Sequence, residues 1–365
     1  MLRVAFRVDA SVRIGSGHVM RCLTLADALR EAGADCQFLC RVHDGHLNDL
    51  IAARSFAVTA LPMGGAALPD EPVLAHADWL GSDWQTDAHQ VVAALGGKPV
   101  DVLVVDHYAL DHRWHRALRP HVGRIMVIDD LADRAHDCDL LLDQNLGRQA
   151  ADYDGLVPDH APRMIGPHHA LLRPDFARAR PDSLRRRGPP ALRHLLITMG
   201  GVDQDNVTGQ ILNALPGLHL PDLTGIEVIL GPSAPWVEAV REAAARMPWP
   251  TTVRVGITDM AATMARSDLA VGAAGGTSWE RCCLGLPTIQ IVLADNQMGA
   301  AEALDRTGAA IAVRTPGQIA ETLRTLDSPD RMGDMLRRVG RSASGLVDGL
   351  GAPRVAAIIL GGQHD

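Results

Sequence analysis

The chain reads as an α/β protein built from two parallel-sheet domains in tandem. Three observations predict this. Short apolar runs recur along the chain with helix-spaced segments between them, the pattern of strands joined by helical crossovers. Three of the first half, at 100–106, 124–130 and 139–145, end in a carboxylate or an amide, at the strand end where open α/β sheets bind ligands. The rhythm breaks once, at residues 178–191, and then restarts. With 365 residues the chain also exceeds what one hydrophobic core usually supports.

Leu2, Val4, Phe6 and Val8 alternate with small or charged residues as a first strand, and residues 18–32 carry helical spacing that stops at Gly33. CQFLC follows at 36–40, then VDVLVVD (100–106), RIMVIDD (124–130) and DLLLDQN (139–145). RARPDSLRRRGPPA, at 178–191, is rich in arginine and proline and reads as a linker. Beyond it come RHLLITM, a helix over about 204–215, GIEVILG, a helix over about 235–247, TTVRVG, a helix ending near Ser267, DLAVGAAG, the helix of GGTSWERCCLG, and PTIQIVLAD. The expected domains are 1–177 and 192–365, with the last helix free to pack back on the first domain. The cleft between the halves is the default ligand site.

Composition narrows the function classes. Hydrophobic residues make up 47% and charged residues 21%, as in a globular protein. A net charge of −8 and a pI near 6.0 offer nucleic acid no broad basic surface. The six cysteines, Cys22, Cys36, Cys40, Cys138, Cys282 and Cys283, read as reduced thiols. No CxxC or HExxH is present and His168–His169 lack zinc-ligand spacing, so no metal and no other cofactor is expected. MLRVAFRVDAS carries charge too early for a signal peptide, and no apolar run approaches the ~20 residues of a membrane span. A cytoplasmic monomer with no membrane partner is the expectation.

Four motifs carry chemistry. IGSGHVMRC (14–22) turns from strand into helix, where unpaired N–H groups attract an anion. Gly15 and Gly17 supply the first two glycines of a dinucleotide fingerprint, but Met20 replaces the third; they read either as a ligand loop or as a tight turn. His18 reads as a general base or as a capping histidine. The positive helix end favours the neutral imidazole that a base requires. In GAAGGTSWERCCLGLPT (272–288), Gly275 and Gly276 open a helix, Thr277 and Ser278 add hydroxyls, and Glu280 either binds ribose hydroxyls or complements the helix dipole. ITMGGVDQDN (197–206) places Gly201 in another glycine turn. LADNQMGAAEAL (293–304) delivers Asp295 as a helix cap, with Asn296 and Gln297 able to bond sugar hydroxyls or amides. Of the competing histidines, His107 and His112 flank Tyr108, and His43 and His46 sit in a loop expected to face solvent. Asp106, Asp129, Asp130 and Asp143 stand at strand ends, as caps or as a partner for His18.

DASVRIGSGHVMRCLTLA, VVDHYALDHRWH, IDDLADRAHDCDLLLDQN, GPHHALLRPDF, ITMGGVDQDN and GGTSWERCCLGLPTIQIVLADNQ, taken together and in this order, resemble the PseG-type nucleotide-sugar hydrolases of pseudaminic acid biosynthesis. The resemblance implies a GT-B-like fold, two Rossmann-like domains facing across a cleft. It implies cleavage of UDP from UDP-2,4-diacetamido-2,4,6-trideoxy-β-L-altropyranose, without metal, by inverting attack of a water that His18 activates. It puts nucleotide binding on Gly275, Gly276, Thr277, Ser278 and Glu280, and lines the sugar pocket with Tyr108 and Asn296. A GT-B glycosyltransferase with a UDP-sugar donor, and a non-catalytic nucleotide-sugar sensor, are the alternatives.

Overall fold

A computed structural model describes residues 1–64, 74–188 and 191–361. The chain forms two compact units, one of residues 1–171 and 351–365 and one of residues 172–350. Pro189 and Pro190 of the expected linker, and the last four residues, lie outside the described part.

The first unit holds a seven-stranded sheet of β1 (Arg3–Val8), β2 (Asp35–Arg41), β3 (Ala57–Leu61), β4 (Val100–Asp106), β5 (Val122–Ile128), β6 (Leu140–Asp143) and β7 (Arg163–Ile165), in the order β3-β2-β1-β4-β5-β6-β7. Every pairing is parallel. Side chains alternate between the faces: Val4, Phe6 and Val8 of β1 enter one core with Val102 and Val104 of β4, while Ala5, Leu103 and Val105 enter the other. Burial on both faces is why these strands read as near-continuous apolar runs. Helix α1 (Gly17–Glu31) covers the first face through Val19, Cys22, Leu23, Ala26 and Leu29. Short α2 (Asn48–Ala53) follows β2. The opposite face lies under α3 (Trp84–Leu95) and α4 (His112–Leu118).

The second unit begins with α5 (Pro174–Arg186). Its six-stranded parallel sheet, in the order β10-β9-β8-β11-β12-β13, consists of β8 (His194–Thr198), β9 (Gly225–Leu230), β10 (Thr251–Val255), β11 (Leu269–Ala273), β12 (Thr288–Ile291) and β13 (Ile311–Val313). Helices α6 (Val207–Ala214), α7 (Val237–Ala245), α8 (Met260–Arg266), α9 (Thr277–Cys283), α10 (Met298–Arg306), α11 (Pro316–Thr325) and α12 (Pro329–Ser344) complete it. After residue 350 the chain returns to the first unit as α13 (Gly351–Gly361), whose Ala352, Val355, Ala356 and Ile359 join the core under α1.

One expectation is corrected here. Residues 178–186 are not an extended linker but the larger part of α5, and the unit boundary falls at 171–172. Arg180, Arg186 and Arg187 instead donate to neighbouring carbonyls, Arg180 to the oxygens of Cys283 (2.5 Å), Val347 (2.9 Å) and Ser344 (2.7 Å).

In both sheets the strand order reverses once, between β1 and β4 and between β8 and β11. Crevices at the carboxyl ends of such a pair are where open α/β sheets bind ligands. The first pair delivers residues 9–18 and 106–108, and the second delivers residues 199–201 and 274–278.

Candidate active site

After β1 the chain folds back in a tight turn in which the Ser11 hydroxyl accepts from the N–H groups of Ile14 (2.8 Å) and Arg13 (3.2 Å), and Gly15 N–H reaches Ser11 O at 2.8 Å. Gly15 has φ +81°, a conformation that a side chain disfavours. Helix α1 then starts at exposed Gly17 with no capping side chain and no acidic residue in its first turn. Its amide end stays open.

His18, Arg21 and Cys22 stand at i, i+3 and i+4 of α1 and so share one face. That face meets Asp106, the last residue of the neighbouring strand β4 and a fully buried side chain. His18 Nδ1 lies 2.6 Å from Asp106 Oδ1. Arg21 grips the same carboxylate with Nε on Oδ2 (2.6 Å) and Nη2 on Oδ1 (2.7 Å), and sends Nη1 to Asp130 Oδ2 at 2.7 Å. Burial by itself would raise the Asp106 carboxyl, but Arg21 and then His18 hold it well below the usual carboxylate range. An ionised carboxylate only accepts, so the proton between the pair belongs to Nδ1 and a neutral His18 presents a lone pair at Nε2.

The network continues along the strand ends. Tyr108 donates its hydroxyl to Asp130 Oδ2 at 2.6 Å, and its ring meets the His18 ring edge-on at 4.7 Å. Asn145 bridges Asp130 (2.8 Å) and Asp143 (2.9 Å), and Tyr153 bridges Asp143 (2.9 Å) and Asp129 (3.0 Å). Burial first, then the neighbouring Asp130 charge, pushes Asp143 up to about 6. Trp79 stacks on Tyr108 at 5.7 Å and His76 lies 5.4 Å from it.

Of the four strand-end aspartates, Asp106 is the one that holds His18. Arg21, Asn145, Trp79 and His76 were not singled out from the sequence. The i+3 spacing of His18 and Arg21 was the available signal for the first; nothing local signals the others, which meet through the sheet. His43, expected to face solvent, is instead largely covered, with Nε2 at 3.5 Å from the buried Asp9 carboxylate, which His107 Nε2 approaches to 3.2 Å. The covering follows from parallel pairing, since β2 ends beside β1 and carries His43 next to Asp9.

In the second unit, Gly275 and Gly276 are exposed between β11 and α9, and Thr277 is half-buried. Ser278 is buried: its hydroxyl lies 3.2 Å from Gln290 Oε1 and accepts from Arg281 Nη2 at 3.0 Å, and Thr277 accepts from Arg281 Nη1 at 3.1 Å. The Ser278 hydroxyl thus serves the interior, tying α9 to β12. Glu280 is half-buried, and burial pushes its carboxyl up to about 7 against the pull of Arg173 and Arg281. Gly201 is exposed in the bend after β8. Gln297 accepts at its side-chain oxygen from Leu293 N at 3.0 Å, and its Nε2 lies 3.8 Å from where a Cβ on Gly275 would sit. Asn296 is exposed beside it. Asp295 caps no helix: α10 starts at Met298 without a side-chain cap, after a 3₁₀ turn over Asp295–Gln297. Tyr108, Gly15, Gly17 and His18 thus gather in the first unit, and Gly201, Gly275, Gly276, Thr277, Asn296 and Gln297 in the second.

Among the described residues no group of three or more His, Cys, Asp or Glu side chains is arranged to hold a metal ion. No helix among them is long and apolar enough to cross a membrane. All six cysteines are free and buried.

No protein-family model matches the chain. It is 27% identical over 216 residues to the UDP-2,4-diacetamido-2,4,6-trideoxy-β-L-altropyranose hydrolase of Campylobacter jejuni, covering 59% of this chain and 66% of that protein. It is 27% identical over 198 residues to the spore coat polysaccharide biosynthesis protein SpsG of Bacillus subtilis, covering 53% and 57%. The matched regions thus span 57 to 66% of the length of these two relatives. Among solved structures it is similar to MurG of Acinetobacter baumannii (TM-score 0.68, 19% identity, 99% and 100% of the two chains) and to LpCGTa in complex with UDP (0.62, 12%, 98% and 99%). The fold is that of two Rossmann-like parallel-sheet units, with GT-B glycosyltransferases as its structural neighbours.

Proposed function

We propose that this chain is a nucleotide-sugar hydrolase that releases UDP and a free 2,4-diacetamido-2,4,6-trideoxy sugar, with His18 as general base and no metal. The observation that carries the reading is the His18–Asp106 pair at the point where the first sheet reverses its strand order, with Nδ1 tied down at 2.6 Å. The likeness to the Campylobacter jejuni hydrolase supports the substrate class.

Water is a poor nucleophile. As its oxygen bonds to the anomeric carbon, its proton passes to His18 Nε2, and the bond from that carbon to the diphosphate oxygen breaks with the electron pair leaving on UDP. The buried Asp106 carboxylate stabilises the imidazolium so formed. Attack opposite the leaving group inverts the anomeric centre and passes through oxocarbenium character. Gly275, Gly276 and Thr277, with Gly201, hold the nucleotide diphosphate through backbone N–H and hydroxyl donors, which stabilise departing charge without a proton. Glu280 accepts from ribose hydroxyls. Tyr108, Gly15, Gly17, Asn296 and Gln297 contact the sugar.

The test is proton NMR of the anomeric signal and of free UDP during incubation with a panel of UDP-acetamido sugars. The expected outcome is UDP release with no added acceptor and with inversion. His18→Asn should lower turnover by about 10²- to 10⁴-fold while UDP affinity stays nearly intact. The solved neighbours that are glycosyltransferases favour one second reading, transfer of the sugar to an acceptor. UDP release only when an acceptor is supplied would replace the first reading with the second.

A further inference from the structure

The mechanism needs one nitrogen of His18 to be bare, and His18 together with Asp106 does not by itself guarantee which. Asp106 is fully buried, and a buried carboxylate without a cation takes up a proton or draws one onto its partner. In the first case the acid donates to Nδ1 and the ring proton moves to Nε2. In the second the ring becomes an imidazolium that carries protons on both nitrogens. Either way the Nε2 lone pair disappears.

Arg21 removes both routes. Its Nε and Nη2 occupy one side of each Asp106 oxygen, at 2.6 and 2.7 Å, and Cys22 Sγ lies 3.5 Å from Oδ2. Among the described residues, the one remaining short contact of the carboxylate is Oδ1 to His18 Nδ1, and it requires a donor there. Arg21 Nη2 also lies 3.3 Å from Nδ1, so its positive charge faces the ring as well as the carboxylate. A second anchor fixes the guanidinium itself: Nη1 on Asp130, whose other oxygen Asn145 holds and whose Oδ2 also takes the Tyr108 hydroxyl. Arg21 is 11% exposed, too enclosed for its charge to be a solvated surface feature.

We propose that Arg21 is a positioning residue that decides the proton placement on His18: by saturating Asp106 it keeps the ring neutral with its proton on Nδ1 and its lone pair on Nε2. Arg21 touches no reacting atom in this scheme and acts through Asp106. The shape of the guanidinium matters, because only a planar fork reaches both carboxylate oxygens and Asp130 together; a lysine ammonium is a point charge and cannot. The catalytic consequence rests on the proposed hydrolysis, whereas the proton placement does not.

The test uses the 365-residue chain labelled with ¹⁵N-histidine. Long-range ¹H–¹⁵N spectra at neutral pH should give His18 a protonated Nδ1 and a bare Nε2, assigned by loss of the signal in His18→Asn. In Arg21→Met the Nε2 signal should move to the protonated range, and turnover should fall about 10²-fold or more with UDP affinity changed less than about threefold. Arg21→Lys should fall between. Circular dichroism and melting temperature report whether each variant is folded, and if Arg21→Met does not fold, Arg21→Lys and Arg21→Gln carry the same readout. An unchanged Nε2 signal in folded variants would overturn the assignment, as would a bare Nδ1 in the unaltered protein. A shifted Nε2 signal in a chain that releases no UDP would uphold Arg21 and sink the hydrolase reading alone.

Discussion

At the scale of single residues, one buried side chain makes stability depend on pH. Glu280 has an ordinary value of 4.5, and burial pushes it up to about 7 in the folded chain. Between those values the folded state keeps a proton that the unfolded state has lost, so stability falls as pH rises through the window and levels off above it. Glu280→Gln has no proton to lose. Relative to the parent chain it should gain stability between pH 5 and pH 8, read from urea midpoints at the two values, and an equal difference at both would count against the buried carboxyl. The residue scale also shows what a sequence can carry. The place of His18 at the start of α1 was legible because a glycine turn, a helix start and a titratable ring coincide within five residues, whereas its contact with Asp106 forms only through the sheet. Ser278 was legible as a hydroxyl at a helix start, but not as a bridge to Gln290 and Arg281, since the burial of that arginine is a property of the packed unit.

At the scale of elements, α5 does most to correct the reading from sequence. Proline, arginine and glycine in one stretch suggest a chain that buries no face, yet Pro174 occupies the first turn, where its missing N–H costs nothing, and Phe176 and Ser183 are buried. Arg180 closes the arrangement by satisfying three carbonyls of the loop ends around α9 and α12. Arg180→Ala should destabilise the chain by about 2 to 3 kcal/mol, because charged donors are lost and buried acceptors are left unpaired, and urea unfolding would register it. A change below about 0.5 kcal/mol would mean that water replaces the guanidinium. The strands that escaped the sequence reading are β3, β7 and β13, and all three lie at sheet edges. β7 and β13 are three residues each, too short to stand out as a run, whereas β3, AVTAL, is apolar at all but Thr59 and its run was available in the sequence although the strand is mostly exposed. The central strands β1, β4, β8 and β11 were legible as apolar runs buried on both faces.

At the scale of the whole molecule, two doubly wound sheets were legible because strand and helix alternate twice, and a return of the last helix to the first domain was left open, but the partition at 171–172 was not legible. In that return α13 lays Val355 and Ile359 into the core beneath α1, a pairing across more than three hundred residues whose contacts no local pattern records. Gly351 makes the return possible, since a Cβ there would stand 2.2 Å from the carbonyl oxygen of Ala170. Removing residues 351–365 should therefore expose the α1 face and cost the first unit roughly 3 to 6 kcal/mol for the two large side chains alone. That is a large share of an ordinary domain's stability. The shortened chain should lose turnover and gain dye binding at exposed apolar surface; full activity would show that α13 is dispensable. The same return has a meaning during synthesis. A ribosome emits the segment bearing His18 first, then spends roughly 10 to 40 s on residues 172–350 before the sealing helix emerges. The first unit thus stays open while the second is made, and its greasy flank waits for a chaperone or for α13.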